Sequence, residues 1–204
     1  RAIPLLERAL RDDPSSAVRG LLAAAWRAAG DLDRTEAVLR EAGTNGLPLA
    51  RVLLEQAVAR LLWPNAPTVA SRRNVEGAER RAIESIRLLE GDRSAGAPDW
   101  LAVAYATNAL ARRDPEAVVA VVDDARSRPC DPEAIAWLEV LLALARPEGQ
   151  DEAIARALAL RPDGAPALVL CATRRMARGD PAGARADLDQ AIRAAPRLGA
   201  AYFV

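Results

Sequence analysis

Small and apolar residues recur along the chain in steps of four and then three positions. Near the C-terminus, Ala184 is followed by Leu188, by Ala191 and, five positions later, by Pro196. Residues spaced in this way lie on one face of an α-helix. Proline stops a helix because it lacks an amide hydrogen and its ring clashes with the preceding turn. The pattern therefore predicts a helix that packs through one face and is closed by Pro196.

The same spacing occurs elsewhere, and equally amphipathic segments lie between the copies. The separation of 34 residues between Pro162 and Pro196 falls in the range of about 20–50 residues that is typical of stacked repeats. The chain is therefore predicted to alternate two kinds of helix, about eleven or twelve in all. The other copies are Ala2, Leu6, Ala9 and Pro14; Thr35, Leu39 and Ala42; Ala78, Ala82 and Ser85; Val118, Val122 and Ala125; and Gln150, Ile154, Ala157 and Pro162.

The stretch GDPAG between two predicted helices has two interpretations. A phosphate-binding loop would need a preceding strand and a lysine or a dinucleotide fingerprint, but no strand is predicted and the chain has no lysine. We therefore interpret it as a turn, in which Gly179 ends one helix in the left-handed conformation, Asp180 caps the next and Pro181 occupies its first turn. Two other pairs hold the same place before their helices, Gly30-Asp31 and Arg113-Asp114.

Two units carry the pattern most completely. The unit from Ala165 to Pro196 has the small residue Ala172 in its first helix, followed by the turn and the spaced residues described above. The unit that begins at Ser16 has Leu22, Ala23, Trp26, Gly30 and Leu32 at the corresponding places. On these residues nearly the whole chain resembles a tetratricopeptide repeat (TPR) array of a bacterial protein. The resemblance implies an all-α fold, a right-handed α-solenoid of stacked antiparallel helix pairs.

The expected domain organisation follows from the same units. Residues 1–204 should form a single TPR-like helical repeat domain of about five repeats, with a half-unit at each end and an irregular long repeat at residues 44–98. The chain begins at Arg1 within a helical pattern and ends at Val204, where another helical pattern begins. We therefore expect it to be a fragment of a longer protein.

Charge and composition narrow the classes of partner. The 28 basic and 28 acidic residues cancel, so no overall field attracts nucleic acid or an acidic membrane surface. No apolar run approaches the roughly 20 residues that span a bilayer, so direct membrane insertion is not expected. Every basic residue is arginine, a usage associated with GC-rich bacterial genomes. We expect a cytoplasmic protein, with the periplasm as the alternative left open.

The residue types present argue against catalysis. The chain has no histidine, which removes the commonest general base and metal ligand. Cys130 and Cys171 lie too far apart in the sequence for a zinc-type pair. Cys171 is expected to pack as a small apolar residue, while a redox role or a disulfide between the two cysteines is the lesser alternative. We therefore expect no metal, no cofactor and no enzyme activity.

The resemblance also implies where a partner would bind. In TPR arrays the first helices of successive units line a concave groove, which suits a peptide or an amphipathic helix. A clamp for a C-terminal carboxylate uses lysines and asparagines, so the absence of lysine argues against one here. Carried onto this sequence, the groove positions include Arg27, Trp100, Thr107, Asn108, Glu139, Thr173 and Met176.

A cluster of arginines in the stretch SRRNVEGAERR also has two interpretations. Arginine–glutamate pairs on a solvated helix face are the more ordinary reading. The alternative interpretation is a contact for an anion or an acidic partner. The long irregular segment WPNAPTVASRRN just before it favours this interpretation, because long loops in compact repeats are often functional. The arginines in question are Arg72, Arg73, Arg80 and Arg81.

The predicted function is a non-catalytic protein–protein interaction module, a scaffold or adaptor that holds a peptide or helix in its groove. The partner is another protein or another domain of the same chain. The alternative is a structural spacer or a self-association domain, a homo-oligomer that pairs through its end segment APRLGAAYFV. A third hypothesis, an RNA-binding repeat, has less support than these two, because the net charge is zero and no stripe of arginines follows the groove.

Overall fold

The computed structural model describes residues 2–62 and 69–202 of the chain. In these two ranges it contains eleven α-helices and a 3-10 helix and no strand, so the predicted all-α class is confirmed. Arg1, Val204 and the first part of the irregular segment before Arg72 lie outside the described residues. The helices are α1 (Ala2–Asp12), α2 (Ser16–Ala28), α3 (Leu32–Glu41), α4 (Leu47–Leu61), α5 (Val69–Glu90), α6 (Ala97–Ala111), α7 (Pro115–Arg126), α8 (Pro132–Ala145), α9 (Gln150–Leu160), α10 (Ala165–Ala177) and α11 (Pro181–Ala194), followed by the 3-10 helix Gly199–Tyr202.

The turn between α10 and α11 has the predicted geometry. Gly179 has a φ of 77°, in the left-handed region that glycine adopts without steric cost. The Asp180 side chain accepts a hydrogen bond of 2.9 Å from the backbone N–H of Gly183, and Pro181 begins α11. The turns before α3 and α7 repeat this arrangement, with Gly30 at a φ of 74° and Arg113 at 61° and with Asp31 and Asp114 as the capping residues.

Helices that follow one another in the chain pack against one another throughout the described ranges. Contacts also join α4 to α6 and α6 to α8. The long stretch at residues 44–98 is occupied by α4 and by α5, which has 22 residues. Alanines with no exposed surface line the helix contacts, among them Ala82, Ala104, Ala172 and Ala191. Side chains this small let two helix backbones approach closely, so the predicted role of the small residues agrees with their burial.

The chain end after α11 returns to the α2–α3 turn. The Nη1 atom of Arg197 lies 2.6 Å from the Oδ2 atom of Asp31. A Cβ atom placed on Gly30 would be 3.4 Å from Cδ of Pro196, so a side chain at this position would touch the chain end. We refer to this meeting of Gly30 and Asp31 with Pro196 and Arg197 as the seam. It brings the two ends of the helix array together.

The packing of α11 makes a test of the small-residue positions. Ala184 and Ala191 have no exposed surface, so Ala191→Leu should overpack the helix contact and lower the free energy of unfolding by about 1–3 kcal/mol. Ala186→Leu on the exposed face of the same helix is the matched control and should change stability little. Urea unfolding followed by circular dichroism measures both. Equal midpoints for the two variants would contradict the packing described here.

Candidate functional site

An open cleft of about 390 Å³ lies among α2, α4, α8, the start of α10 and the chain end after α11. In the predicted repeat pattern α2, α4, α8 and α10 are first helices, which the resemblance to TPR arrays would place along a groove. We call it the cleft below. Its apolar lining includes Ala24, Ala28, Ala59, Trp137 and Leu198, and its charged lining is formed by Arg27, Glu55, Glu133, Arg161, Asp163 and Arg197.

The α2 wall of the cleft is shaped by two alanines one helical turn apart. Ala24 and Ala28 both line the cleft and are exposed to solvent. Residues four positions apart share a helix face, and their small side chains leave room above the backbone. On the same helix the larger Leu22 and Trp26 point into the core and are buried. The large side chains of α2 therefore face the core, and the small ones face the cleft.

Glu133 is the centre of a charged cluster in the cleft. It lies in the first turn of α8, where a carboxylate interacts favourably with the helix dipole. Its Oε1 atom is 3.0 Å from Nη1 of Arg161 and 3.5 Å from Nη2 of Arg27, and its Oε2 atom accepts a hydrogen bond from Arg51. Arg27 also donates from Nε to Glu55 at 2.9 Å. The cluster thereby links α2, α4, α8 and the residue after α9.

The charges in this cluster shift one another's pKa values. Burial raises the pKa of Glu133, but Arg51, Arg161 and Arg27 together outweigh it and bring the pKa below its ordinary value. Burial likewise lowers the pKa of Arg27, and Glu55 and Glu133 overcome this and raise it. Both groups are consequently charged at neutral pH. The cleft offers fixed, mutually oriented charges.

A stacked pair holds one of these arginines in place. The guanidinium carbon of Arg51 lies 4.4 Å from the ring centroid of Trp100, a distance at which a cation is attracted to the face of an indole. The Trp100 side chain is fully buried, and its Nε1 atom donates to Oδ2 of Asp131 at 3.3 Å. Trp100 was predicted to face a partner. Its place is instead behind Arg51, where it supports the cluster.

Two more of the predicted groove residues are buried and offer no surface to a partner. Thr107 donates its hydroxyl to the carbonyl oxygen of Val103 at 2.7 Å, within its own helix. Glu139 is 1% exposed and accepts hydrogen bonds from both Arg126 and Arg156 at 2.7–3.1 Å. The pair of arginines compensates the cost of burying this carboxylate. Glu139 therefore joins α7, α8 and α9.

The remaining predicted residues divide between the cleft and other surfaces. Arg27 lines the cleft, whereas Thr173 and Met176 are exposed near the end of α10 and do not line it. Asn108 is half-buried, and its Oδ1 atom has no hydrogen-bond partner in residues 2–62 and 69–202. The predicted set is therefore not brought together as one surface.

The arginine cluster of α5 lies apart from the cleft. Arg72, Arg73 and Arg80 are exposed, and Arg81 donates from Nε to Oε1 of Gln56 at 2.6 Å. A neighbouring arginine of α4, Arg60, has its pKa lowered by burial and by the nearby positive charge of Arg81. The cluster is thus partly a structural contact between α4 and α5.

Sequence reasoning missed the charged residues that build the cleft. Glu55, Glu133, Arg51 and Arg161 fall outside the small-residue pattern, and Arg27 and Glu133 are separated by 106 positions. A spacing rule along one helix carries no signal for such a pair. The only local sign was the acidic residue Glu133 in the first turn of a predicted helix, and the same stretch DPEA also precedes α7, where Glu116 lies outside the cleft.

Neither cysteine has the features of a reactive thiol. Burial, followed by the neighbouring carboxylate, raises the pKa of each to about 11; that carboxylate is Asp99 for Cys130 and Asp187 for Cys171. Both cysteines are free and half-buried. Within the described part of the chain, no group of three or more acidic or cysteine residues could hold a metal ion, and no helix is long and apolar enough to cross a membrane.

Comparison with protein-family models finds no match to this chain, and comparison with curated proteins finds none either.

The Glu133 cluster makes stability depend on pH. Because the pKa of Glu133 in the folded protein lies below its ordinary value of 4.5, its contribution is present above that value and is lost as the pH falls through the folded-state pKa. Glu133→Gln should therefore lower the free energy of unfolding by about 1–2 kcal/mol at pH 7. The difference in free energy of unfolding between the variant and the wild type should shrink in acid. Glu148→Gln, at an exposed position, is the control. Denaturant unfolding across pH tests this, and a difference that persists unchanged in strong acid would contradict it.

The buried Glu139 should matter for stability rather than for binding. Glu139→Gln removes the buried carboxylate that Arg126 and Arg156 share and leaves each only its exposed partner, Asp123 or Glu152. It should lower the free energy of unfolding by about 2–3 kcal/mol. The control is Glu116→Gln, which removes an exposed pair with Arg146 and should have almost no effect. Thermal unfolding by calorimetry compares the two. A similar loss from both variants would show that burial does not set the strength of the Glu139 pairs.

Proposed function

We propose that this chain is a TPR-like protein–protein interaction module that holds a peptide or helical segment of a partner in the cleft. The proposed architecture is a right-handed solenoid of stacked antiparallel helix pairs. The observation that carries the proposal is the cleft itself, an open concave space on the side formed by α2, α4, α8 and the start of α10. The proposal is supported by the lining, because these are the helices that the resemblance to TPR arrays assigns to a groove.

The lining of the cleft supports a peptide-like occupant. The apolar part, including Ala24, Ala28 and Trp137, gives a surface against which a partner's apolar side chain gains free energy by leaving water. Exposed apolar surface with a polar rim is typical of interaction sites.

The residue chemistry supports binding without catalysis. The chain has no histidine, and both cysteine thiols have raised pKa values. Four charged groups of the cleft are engaged in ion pairs with one another, namely Arg27, Glu55, Glu133 and Arg161. We propose a scaffold or adaptor of a bacterial protein, supported by the lysine-free composition. We propose a cytoplasmic location, supported by two half-buried free cysteines, which are typical of reducing compartments.

Self-association is the second candidate, and exposed leucines at the N-terminal end favour it. Leu5 on α1 is 68% exposed and Leu21 on α2 is 60% exposed. The end segment that was predicted to form such an interface is less available, because Leu198 and Ala201 are buried within the chain. Sedimentation velocity at increasing concentration tests this candidate. A wild-type chain that stays monomeric at all concentrations would exclude it. If the wild type associates, Leu5→Glu and Leu21→Glu should weaken that association.

The cleft proposal is tested by filling the cleft. Peptides of about 16 residues are selected on the full chain from a random display library, and their affinity is measured by calorimetry. Ala24→Trp and Ala28→Trp place bulk in the cleft at exposed positions and should weaken binding at least tenfold, about 1.4 kcal/mol. Circular dichroism checks that both variants remain folded.

The matched control is Ala120→Trp, on the exposed face of α7 and outside the cleft. It should leave peptide affinity unchanged. Peptides that bind both cleft variants as tightly as wild type would place the binding surface elsewhere. A selection that yields no binding peptide would also overturn the proposal.

A further inference from the structure

Arg60 lies against the backbone of α5 at Gly77. It belongs to the last turn of α4, and a Cβ atom placed on Gly77 would be 3.3 Å from both Cδ and Nε of Arg60. Gly77 is buried inside the 22-residue helix α5, a position at which glycine is a poorer helix former than alanine. The missing side chain leaves room for Arg60, so that its guanidinium group reaches over α5.

Two arginines of α5 lie on the same face as Gly77. Arg80 and Arg81 follow it by three and four positions, and residues with this spacing are neighbours on a helix surface. The glutamates closest to Gly77 in the sequence, Glu76 and Glu79, are one and two positions away and therefore point to other faces. Three guanidinium groups from two helices consequently lie in one region of the surface.

Gln56 of α4 holds two of these arginines in place. The Nε atom of Arg81 donates to Oε1 of Gln56 at 2.6 Å, and the Nη1 atom of Arg60 donates to the carbonyl oxygen of Gln56 at 3.2 Å. The Nη2 atom of Arg81 is 3.7 Å from Oε2 of Glu36, which is too long for a hydrogen bond. This end of the Arg81 guanidinium therefore keeps a donor for another acceptor, and its side chain is 21% exposed.

The positive charge of Arg60 is not balanced by its surroundings. Burial lowers the pKa of Arg60, and the positive charges of Arg81 and Arg80 also lower it. The negative charges of Asp33 and Glu36 raise it, but they do not restore the ordinary value. An anion beside Arg60 would therefore favour its charged form and offset the repulsion among the three arginines.

The carboxylates near this region already have donors of their own. Glu36 accepts a hydrogen bond from Nε of Arg40 at 2.8 Å, and Glu84 accepts one from Nη2 of Arg40 at 2.7 Å. Asp33 accepts one from a side-chain amide of α4 at 3.0 Å. Arg60 makes no ion pair with any carboxylate of the part of the chain that the structure describes.

A phosphate group has the charge and the shape that this region lacks. On a side chain it carries a charge of about −1.5 to −2 at pH 7 and three acceptor oxygens. Arginine suits such oxygens because its planar fork donates two parallel N–H bonds. Three forks from two helices can therefore surround one phosphate, whereas a carboxylate has only two oxygens to share among them.

We propose that Arg60, Arg80 and Arg81 form a binding site for a phosphate group beside Gly77, between α4 and α5. Of the stretch SRRNVEGAERR only the last two arginines take part, and Arg60 comes from another helix. None of these residues lines the cleft, so the site goes beyond the proposed function and is tested without a cleft partner. Free phosphate and a phosphorylated side chain of a partner protein present the same group, and separate measurements distinguish them.

Titration of the full chain with inorganic phosphate tests the site. The ionic strength is held constant with chloride, so that general screening does not change. The NMR signals of the Nε–H groups of Arg60 and Arg81 and of the Gly77 amide should shift and saturate. Arg60→Gln and Arg80→Gln should each weaken phosphate binding about tenfold, because each removes a charged donor.

The matched control is Arg193→Gln, at an exposed position in the last turn of α11. It should leave phosphate affinity unchanged. A titration that does not saturate at Arg60 and Arg81 would overturn the site. An equal loss of affinity in Arg193→Gln and Arg60→Gln would overturn it as well, because binding would then follow only the overall charge.

Two helix glycines separate the role of Gly77 from helix stability. Gly77→Ala places a methyl group against Arg60 and should weaken phosphate binding about threefold, because the guanidinium group must shift. Gly20→Ala in α2 is the matched control, since a Cβ atom there has no further heavy atom within 4 Å, and it should leave phosphate affinity unchanged. Both variants should stay folded, because alanine is the better helix former, and circular dichroism checks this. Wild-type affinity in Gly77→Ala would show that Arg60 does not act from its place on α5 and would overturn the site.

Peptides distinguish the two sources of the phosphate group. A pool of decapeptides with one central phosphoserine and random flanks is compared with the unphosphorylated pool and with inorganic phosphate, through the signals of Arg60 and Arg81. If the phosphoserine pool binds about tenfold more tightly than inorganic phosphate, the group belongs to a partner protein. If the two affinities are equal, the ligand is free phosphate or a small phosphorylated molecule. Equal binding of the two peptide pools would show that the site does not recognise phosphate and would overturn the proposal.

Discussion

Close packing of helices through alanine is the constraint on which the rest of the structure depends. Ala82, Ala104, Ala172 and Ala191 have no exposed surface, and each stands where two helix backbones approach closely. Alanine buries little apolar area but loses no side-chain entropy on folding, so many such contacts together hold short helices in a defined arrangement.

Arginine supplies the polar contacts that alanine cannot. A guanidinium group carries several donors in a planar fork and stays charged at all relevant pH values. This allows one carboxylate to be shared between helices, as Glu133 is shared by Arg27, Arg51 and Arg161. Because each such arginine is at least one-fifth exposed, the charges are fixed without being removed from water. The cleft is in this way lined by paired charges as well as by apolar side chains.

The spacing of residues predicted the helices and their turns well because both are local. A small residue every third or fourth position marks a packed face, and Gly179-Asp180 encodes its own turn through backbone conformation and a side-chain cap. The same spacing placed Arg113 at the corresponding turn position, and Arg113 adopts a left-handed conformation although it is not glycine. These features depend on neighbours within a few residues.

The candidate site was less predictable, since burial depends on helices distant in sequence. Trp100, Thr107 and Glu139 occupy helix faces that the resemblance to TPR arrays assigned to a groove, but they are buried in the structure. Glu139 is buried beneath two other helices, and Arg126 and Arg156 from those helices pair with its carboxylate. The contact of Arg197 with Asp31 carries no periodic signal at all. Tertiary packing, rather than helix periodicity, decides such positions.

The capping of α3 also has a consequence for the order in which the chain acquires its structure during synthesis. Most contacts of the array join consecutive helices, so they can form one after another as the chain leaves the ribosome. Asp31 emerges early, but the arginine nearest its buried carboxylate is Arg197, which emerges after all eleven α-helices of the described ranges. The buried carboxylate of Asp31 therefore lacks its nearest positive charge until the C-terminal residues have been synthesised.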